Sequence, residues 1–184
     1  MENMPQLRSE LLELLKKESL KKGKFILSSG KESTYYLDGR ITTMLPQGAY
    51  LIARIILDMI KDAKVDAFGG PTMGADPIVG AVAAVSYQIK QPIRTFIVRK
   101  AAKAHGTQRQ VEGPALKAGD RVVLVDDVAT SGKSLIEAKE VLDGMGVIVD
   151  RAVVVVDRKE GAAENLAKLG VKLQPIFMIS ELGV

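Results

Sequence analysis

The sequence predicts an α/β protein with an open, mostly parallel sheet, helices on both faces and a small N-terminal hood. Three observations predict it. Short apolar runs rich in β-branched residues recur at 65–68, 95–98, 122–125, 147–156 and 171–178, as strands buried on both faces require. Segments with apolar residues at helical spacing lie between most of them, which is the alternation of a parallel sheet. The runs also empty into glycine-rich, charged or hydroxyl-rich loops, so ligands should bind along the carboxyl ends of the strands.

At 184 residues, residues 1–184 are expected to form a single domain, with 1–45 as its N-terminal helix and hood. With 47% hydrophobic residues and mixed charge, the composition is that of a soluble globular protein. No apolar run approaches the ~20 residues that span a bilayer. The first residues lack the charged-then-apolar pattern of a signal peptide, and there is no cysteine. A cytoplasmic protein without membrane association is therefore expected. A single histidine excludes a multi-histidine metal centre, so any metal would be Mg²⁺ on oxygen ligands. The net charge of +4 fits anionic small substrates, and with only four Phe and four Tyr to stack bases no nucleic-acid partner is expected.

Taken in order, residues 6–22 carry Leu7, Leu11, Leu14 and Leu15 at helical spacing, with Pro5 before them and Gly23 after, and read as an amphipathic helix. Residues 25–40 read as two extended pieces around a Ser-Gly-Lys turn, a hairpin with Tyr35 and Tyr36 on its second piece. Residues 47–62 form a second helix through Leu51, Ile52, Ile55, Ile56 and Met59. The run 65–68 passes into a turn at 69–77, rich in glycine where backbone can approach a ligand closely, and then a small-residue helix to about residue 88. The run 95–98 opens into a long loop at 99–113 with Arg99, Lys100, Lys103, His105 and Arg109, and no acid between Arg99 and Arg109. A solvated basic loop and a lid over a polyanion both fit that composition.

The run at 122–125 ends at Asp126 and Asp127 and passes through Val128, Ala129, Thr130, Ser131, Gly132, Lys133 and Ser134 into a helix over 135–145. A strand, a small-residue loop and a helix N-terminus make a phosphate site out of free backbone N–H groups. Two carboxylates would repel a phosphate and must face sugar hydroxyls or a divalent cation instead. An ATP-binding P-loop is excluded, because it needs glycine five positions before Gly132 and Asp127 stands there. The run 147–156 ends at Asp157-Arg158, where an arginine suits a ligand carboxylate. A short helix over 162–169 and a last strand over 171–178 close the chain.

The stretch 122–134 resembles the signature of type I phosphoribosyltransferases that binds 5-phospho-α-D-ribose 1-diphosphate (PRPP). Two further motifs, F-x-L-x-S-G…S-x-Y-Y-x-D at 25–38 and Arg-Lys-x-x-Lys-x-His-Gly at 99–106, are similar to those of the orotate phosphoribosyltransferase family. The resemblance covers nearly the whole chain. It implies a type I fold and transfer of phosphoribose from PRPP to orotate, giving orotidine 5′-phosphate and pyrophosphate in pyrimidine (UMP) synthesis. By that resemblance Asp126 and Asp127 hold the ribose hydroxyls, and Val128 to Ser134 form the 5-phosphate loop. Thr130, Arg158 and Tyr36 meet orotate. Arg99, Lys100, Lys103 and His105 neutralise pyrophosphate from a neighbouring subunit, which makes the protein a homodimer with shared sites. Lys103, His105, Asp126 and Asp127 are the catalytic residues it implies. Mg²⁺ is held mainly by substrate oxygens and water, with Asp126 or Asp127 in reach. The chain departs from the family at Ser28, where many members carry lysine, and near Met73, where some do.

Overall fold

The computed structural model describes residues 3–26, 32–101 and 110–184. Helix α1 (Met4–Leu14) continues as a π-helical turn, Leu15–Ser19. A two-stranded antiparallel hood follows, β1 (Leu20–Ile26) and β2 (Glu32–Leu37), then the short α2 (Gly39–Thr43) and α3 (Pro46–Ile60). The remaining elements are β3 (Ala67–Pro71), α4 (Asp76–Gln88), β4 (Arg94–Val98), β5 (Val111–Glu112) and β6 (Arg121–Ala129). They continue with α5 (Lys133–Asp143), β7 (Ile148–Asp157), α6 (Ala162–Ala167), β8 (Lys172–Met178) and a 3₁₀ turn at Ile179–Leu182.

Six strands form the main sheet in the order β5-β4-β3-β6-β7-β8, with β5 antiparallel at one edge and the rest parallel. The alternation along β6 shows how the two cores arise. Val123 and Val125 point into the core under α1, α3 and α4, while Val122 and Leu124 point into the core under α5 and α6. With both faces covered, the strand is an uninterrupted apolar run. None of the helices among the described residues is long and apolar enough to cross a membrane.

The chain steps from β3 outward to β4, then crosses back to β6 and runs the other way through β7 and β8. The switch point of the topology therefore lies between β3 and β6, the place where open α/β sheets form ligand crevices. Pairing of β3 with β6 stops at Gly69 and Leu124, whereas β7 follows β6 as far as Ala129. Beyond Val125, β6 thus has a loop rather than a strand on its β3 side, and a cleft opens there.

Several elements differ from the sequence expectations. The first helix stops at Ser19 rather than Lys22 because Ser19 is drawn into the interior. Its Oγ lies 2.6 Å from Thr42 Oγ1, and its carbonyl accepts the Asp38 N–H at 3.1 Å, which starts β1 at Leu20. Gly69 and Gly70 are strand rather than turn: a Cβ on Gly70 would sit 1.9 Å from the Val125 carbonyl oxygen, so glycine there permits close strand approach. β6 does not end at its acids but carries them within the strand, because β7 continues to supply backbone partners. The helices α4 and α5 begin at Asp76 and Lys133, and α2 and β5 are additional.

Candidate active site

The cleft at the switch point measures about 670 Å³. Tyr36 to Arg40, from the end of the hood and the start of α2, form one wall. Pro71 to Gly74, leading out of β3, and Arg99 to Ala101, leading out of β4, form another, and Asp126, Asp127, Val128 and Ser134 make the floor. Every contribution comes from the carboxyl end of a strand or from the segment that follows it.

Asp126 is only 7% exposed and turns toward α5, where Ser134 Oγ donates to its Oδ2 at 2.7 Å. Its Oδ1 accepts the Asp127 N–H at 3.0 Å. Asp127 Oδ1 accepts the Val128 N–H at 2.8 Å. Neither forms an ion pair among the described residues. Burial, and then the neighbouring Asp127 charge, push the Asp126 carboxyl up to about 7, and burial likewise raises Asp127. A like-charged pair held this way is stabilised by donors from a ligand, and sugar hydroxyls or a hydrated cation would supply them.

Room for the pair depends on the loop after β3. A Cβ on Gly74 would stand 2.2 Å from Asp126 Oδ1 and 2.5 Å from Asp127 Oδ1, so only glycine fits unless the loop withdraws. Gly39 presses on the other side, where a Cβ would meet Asp127 Oδ2 at 2.9 Å. Thr72 Oγ1 donates to Asp76 Oδ2 at 2.8 Å and braces the same loop.

After Ala129 the chain rises through exposed Thr130 and Ser131 to Gly132, whose φ of +78° precedes α5. Gly132 offers no side-chain cap, so the first N–H groups of α5 remain available to an anion. The loop leans on α6: Asn165 Nδ2 donates to the Ser131 carbonyl at 3.0 Å, and a Cβ on Gly132 would lie 3.3 Å from Ala162 Cα. Ser134 lines the cleft, whereas Thr130, Ser131 and Lys133 are exposed.

Of the basic loop, Arg99 and Lys100 reach the cleft. The Arg99 N–H donates to the Gln110 carbonyl at 2.9 Å and Gln110 Nε2 returns a bond to the Arg99 carbonyl, closing the loop's neck. Lys103 and His105 lie outside the described residues, as do Ser28 and Lys31 of the hood turn. Tyr36 lines the cleft, its ring 5.8 Å from that of Phe25. Arg158 is not part of the lining. It follows β7 directly, gives its N–H to the Ala129 carbonyl at 2.9 Å beside Thr130, and pairs with Glu160 at 2.9 Å.

Sequence reasoning carried Asp38 only as the last residue of the hood motif and did not single out Arg40. Arg40 grips Asp38 through Nε and an Nη nitrogen, both at 2.9 Å, and holds that carboxyl below the usual range. Asp38 also accepts the Arg40 N–H as the cap of α2. The Asp-Gly pair was the available signal for a turn or cap, but nothing local tied it to the acids of β6.

These features define a class, and comparison with known proteins gives the same one: residues 41–179 match the phosphoribosyl transferase domain. The chain is 44% identical over 176 residues to the orotate phosphoribosyltransferase of Nostoc sp., covering 96% of this chain and 85% of that one. The Mycobacterium tuberculosis orotate phosphoribosyltransferase in complex with Fe(III) dicitrate superposes with a TM-score of 0.86 at 37% identity, over 97% of this chain and 99% of that one. The same enzyme in complex with PRPP gives a TM-score of 0.81 at 32% identity, with the same coverage. The chain belongs to the orotate phosphoribosyltransferase family of type I phosphoribosyltransferases.

Proposed function

We infer that the cleft transfers the 5-phosphoribosyl group of PRPP to orotate, giving orotidine 5′-phosphate and pyrophosphate, a step in the de novo synthesis of UMP. The observation that carries this reading is the pair of buried Asp126 and half-buried Asp127 beside the capless N-terminus of α5, at the switch point of a phosphoribosyltransferase sheet. Hydroxyl donors suit the acids, and backbone donors suit a phosphate one loop away.

In the reaction the ribose C1–O bond breaks and the electron pair leaves with pyrophosphate, while a ring nitrogen of orotate bonds to C1 and gives up its proton. No protein nucleophile is needed. The protein must align two substrates and stabilise charge on the leaving group. Asp126 and Asp127 hold the ribose hydroxyls, and the backbone of residues 128–134 holds the 5-phosphate. Arg99, Lys100, Lys103 and His105 neutralise the departing pyrophosphate, and the histidine can also give a proton near neutral pH. Tyr36, Thr130 and Arg158 receive orotate, Arg158 through the substrate carboxylate.

Magnesium fits this donor set in part. Asp126 and Asp127 offer hard carboxylate oxygens, but no group of three or more potential protein ligands occurs among the described residues. An ion here would rest chiefly on substrate oxygens and water, with one of the two acids in reach. When bound, it would supply positive charge against the pyrophosphate. The family reading also carries a cytoplasmic homodimer in which Lys103 and His105 act on the partner's site. Mixing inactive Lys103→Ala chains with inactive Asp126→Asn/Asp127→Asn chains should restore part of the activity; no recovery after proven subunit exchange would mean that the loop acts within its own chain.

The function is tested by the fall in orotate absorbance when the protein is mixed with PRPP and Mg²⁺, with uracil, adenine and hypoxanthine followed in parallel by product analysis. Orotate alone should be consumed, and only with PRPP present. Turnover of another base instead would overturn the assignments of Tyr36 and Arg158.

A further inference from the structure

We propose that Tyr35 is a positioning residue for Arg158, holding its guanidinium by the flat of the ring where the carboxylate of the base substrate will meet it. The proposal rests on the reading of Arg158 as the orotate-binding arginine.

Tyr35 and Tyr36 are consecutive on β2 and so face opposite sides of the hood. Tyr36 lines the cleft and neighbours Phe25. Tyr35 turns the other way, half-buried against the main core, and the Arg158 guanidinium carbon lies 5.2 Å from its ring centroid. That distance is within cation–π range. The hood therefore touches both halves of the proposed orotate site, one tyrosine in the cleft and the next on the arginine.

The restraint on Arg158 is otherwise incomplete. Its backbone is fixed by the Ala129 carbonyl, and one Nη nitrogen pairs with Glu160 at 2.9 Å. Glu160 is itself 39% exposed, so that pair is screened by water. Arg158 Nε is buried without a hydrogen-bond partner among the described residues. An arginine side chain has many rotamers to lose, and a planar ring against the guanidinium removes them before substrate arrives. A donor kept unpaired at low rotamer cost is what a carboxylate site requires.

The test compares steady-state constants of Tyr35→Phe, Tyr35→Leu, Arg158→Ala and the double variant Tyr35→Leu/Arg158→Ala. Loss of the ring should raise the KM for orotate about fivefold, the size of a partly desolvated cation–π contact. The KM for PRPP should stay within about twofold, since the acids and the phosphate loop are untouched. Tyr35→Phe keeps the ring and should behave as the parent, and the double variant should be no worse than Arg158→Ala alone. If Tyr35→Leu does not fold, Tyr35→Val replaces it with the same expectation. A Tyr35→Leu enzyme with unchanged constants, or with both KM values raised alike, overturns the proposal, as do impairment in Tyr35→Phe or an additive double variant. In those cases an orotate-selective defect in Arg158→Ala leaves the reading of Arg158 standing. If Arg158→Ala itself raises both KM values equally, that reading falls and the proposal falls with it.

Discussion

The two ends of β6 treat charge in opposite ways. At its start, Arg121 meets Asp150 at 2.9 Å and its N–H donates to Asp66 at 2.8 Å, while Arg94 next door meets Asp120 at 3.0 Å. These groups are opposite in sign and matched, and the Arg121–Asp150 pair is well exposed. Five residues on, Asp126 is buried and Asp127 beside it half-buried, alike in sign and without an ion-pair partner among the described residues. Between Arg121 and the acids run only Val122, Val123, Leu124 and Val125. One strand thus carries a stabilising edge and an edge whose charges are costly until a ligand arrives. Substitutions at the first should move stability slightly and activity not at all, and substitutions at the second should move activity greatly and stability in the unusual direction.

The largest effect is expected from Asp126→Asn/Asp127→Asn. Losing both acids proposed to hold the ribose hydroxyls should lower kcat/KM by at least about 10²-fold, comparable to removal of a transition-state contact. The single change Asp126→Asn separates stability from activity. The Asp126 carboxyl is raised from 3.8 to about 7 in the folded chain. Between those values the folded state binds more proton than the unfolded one, so this group's contribution to stability is fully present below pH 4 and declines as pH rises through 7. Asparagine cannot titrate, and it can still accept from Ser134. The difference in Tm between Asp126→Asn and the parent should therefore grow in favour of asparagine from pH 4 to pH 8 in thermal scans. A difference that is constant, or that shrinks with pH, would mean the carboxylate is better solvated than its burial implies.

A smaller loss should follow from Gly74→Ala. The added methyl cannot enter the 2.2 Å gap to Asp126 Oδ1, and the acids cannot yield readily because Ser134 and two backbone N–H groups hold them. The loop must withdraw instead, and displacement of about 1 Å at a reacting site costs on the order of 10²-fold. We expect kcat/KM for PRPP to fall about 10- to 100-fold while the fold persists. Near-parental activity would show that the loop is free to move and that the close approach of Gly74 is incidental.

Much of this architecture was legible in the chain. The apolar runs named all five parallel strands, because strands covered on both faces cannot hide their pattern. The family resemblance joined the acids to the hydroxyl-rich loop, and both lie at the switch point. What was not legible depended on backbone partners distant in sequence. Nothing in Asp126 or Asp127 announces that β7 still pairs with their strand, and Gly69 and Gly70 suggest a turn until Val125 is seen against them. A two-residue strand such as β5 has no period to read. The contact of Tyr35 with Arg158 and the prop of Asn165 under Ser131 are of the same kind, made between elements that only the fold brings together.

The smallest effect should come from the matched edge. The Arg121 and Asp150 side chains are 47% and 55% exposed, and such pairs contribute about 0.2–1 kcal/mol. Arg121→Gln removes the ion pair but keeps the backbone N–H that Asp66 accepts, so Tm should fall by no more than about 1–3 °C. Both KM values and kcat should equal those of the parent, because the change lies at the opposite end of the strand from the cleft. Raising the salt concentration should shrink the Tm difference, as screening weakens an exposed pair. If Arg121→Gln instead altered the KM for PRPP, the two ends of β6 would have to communicate through its four apolar residues, and the division between a stabilising and a functional edge would fail.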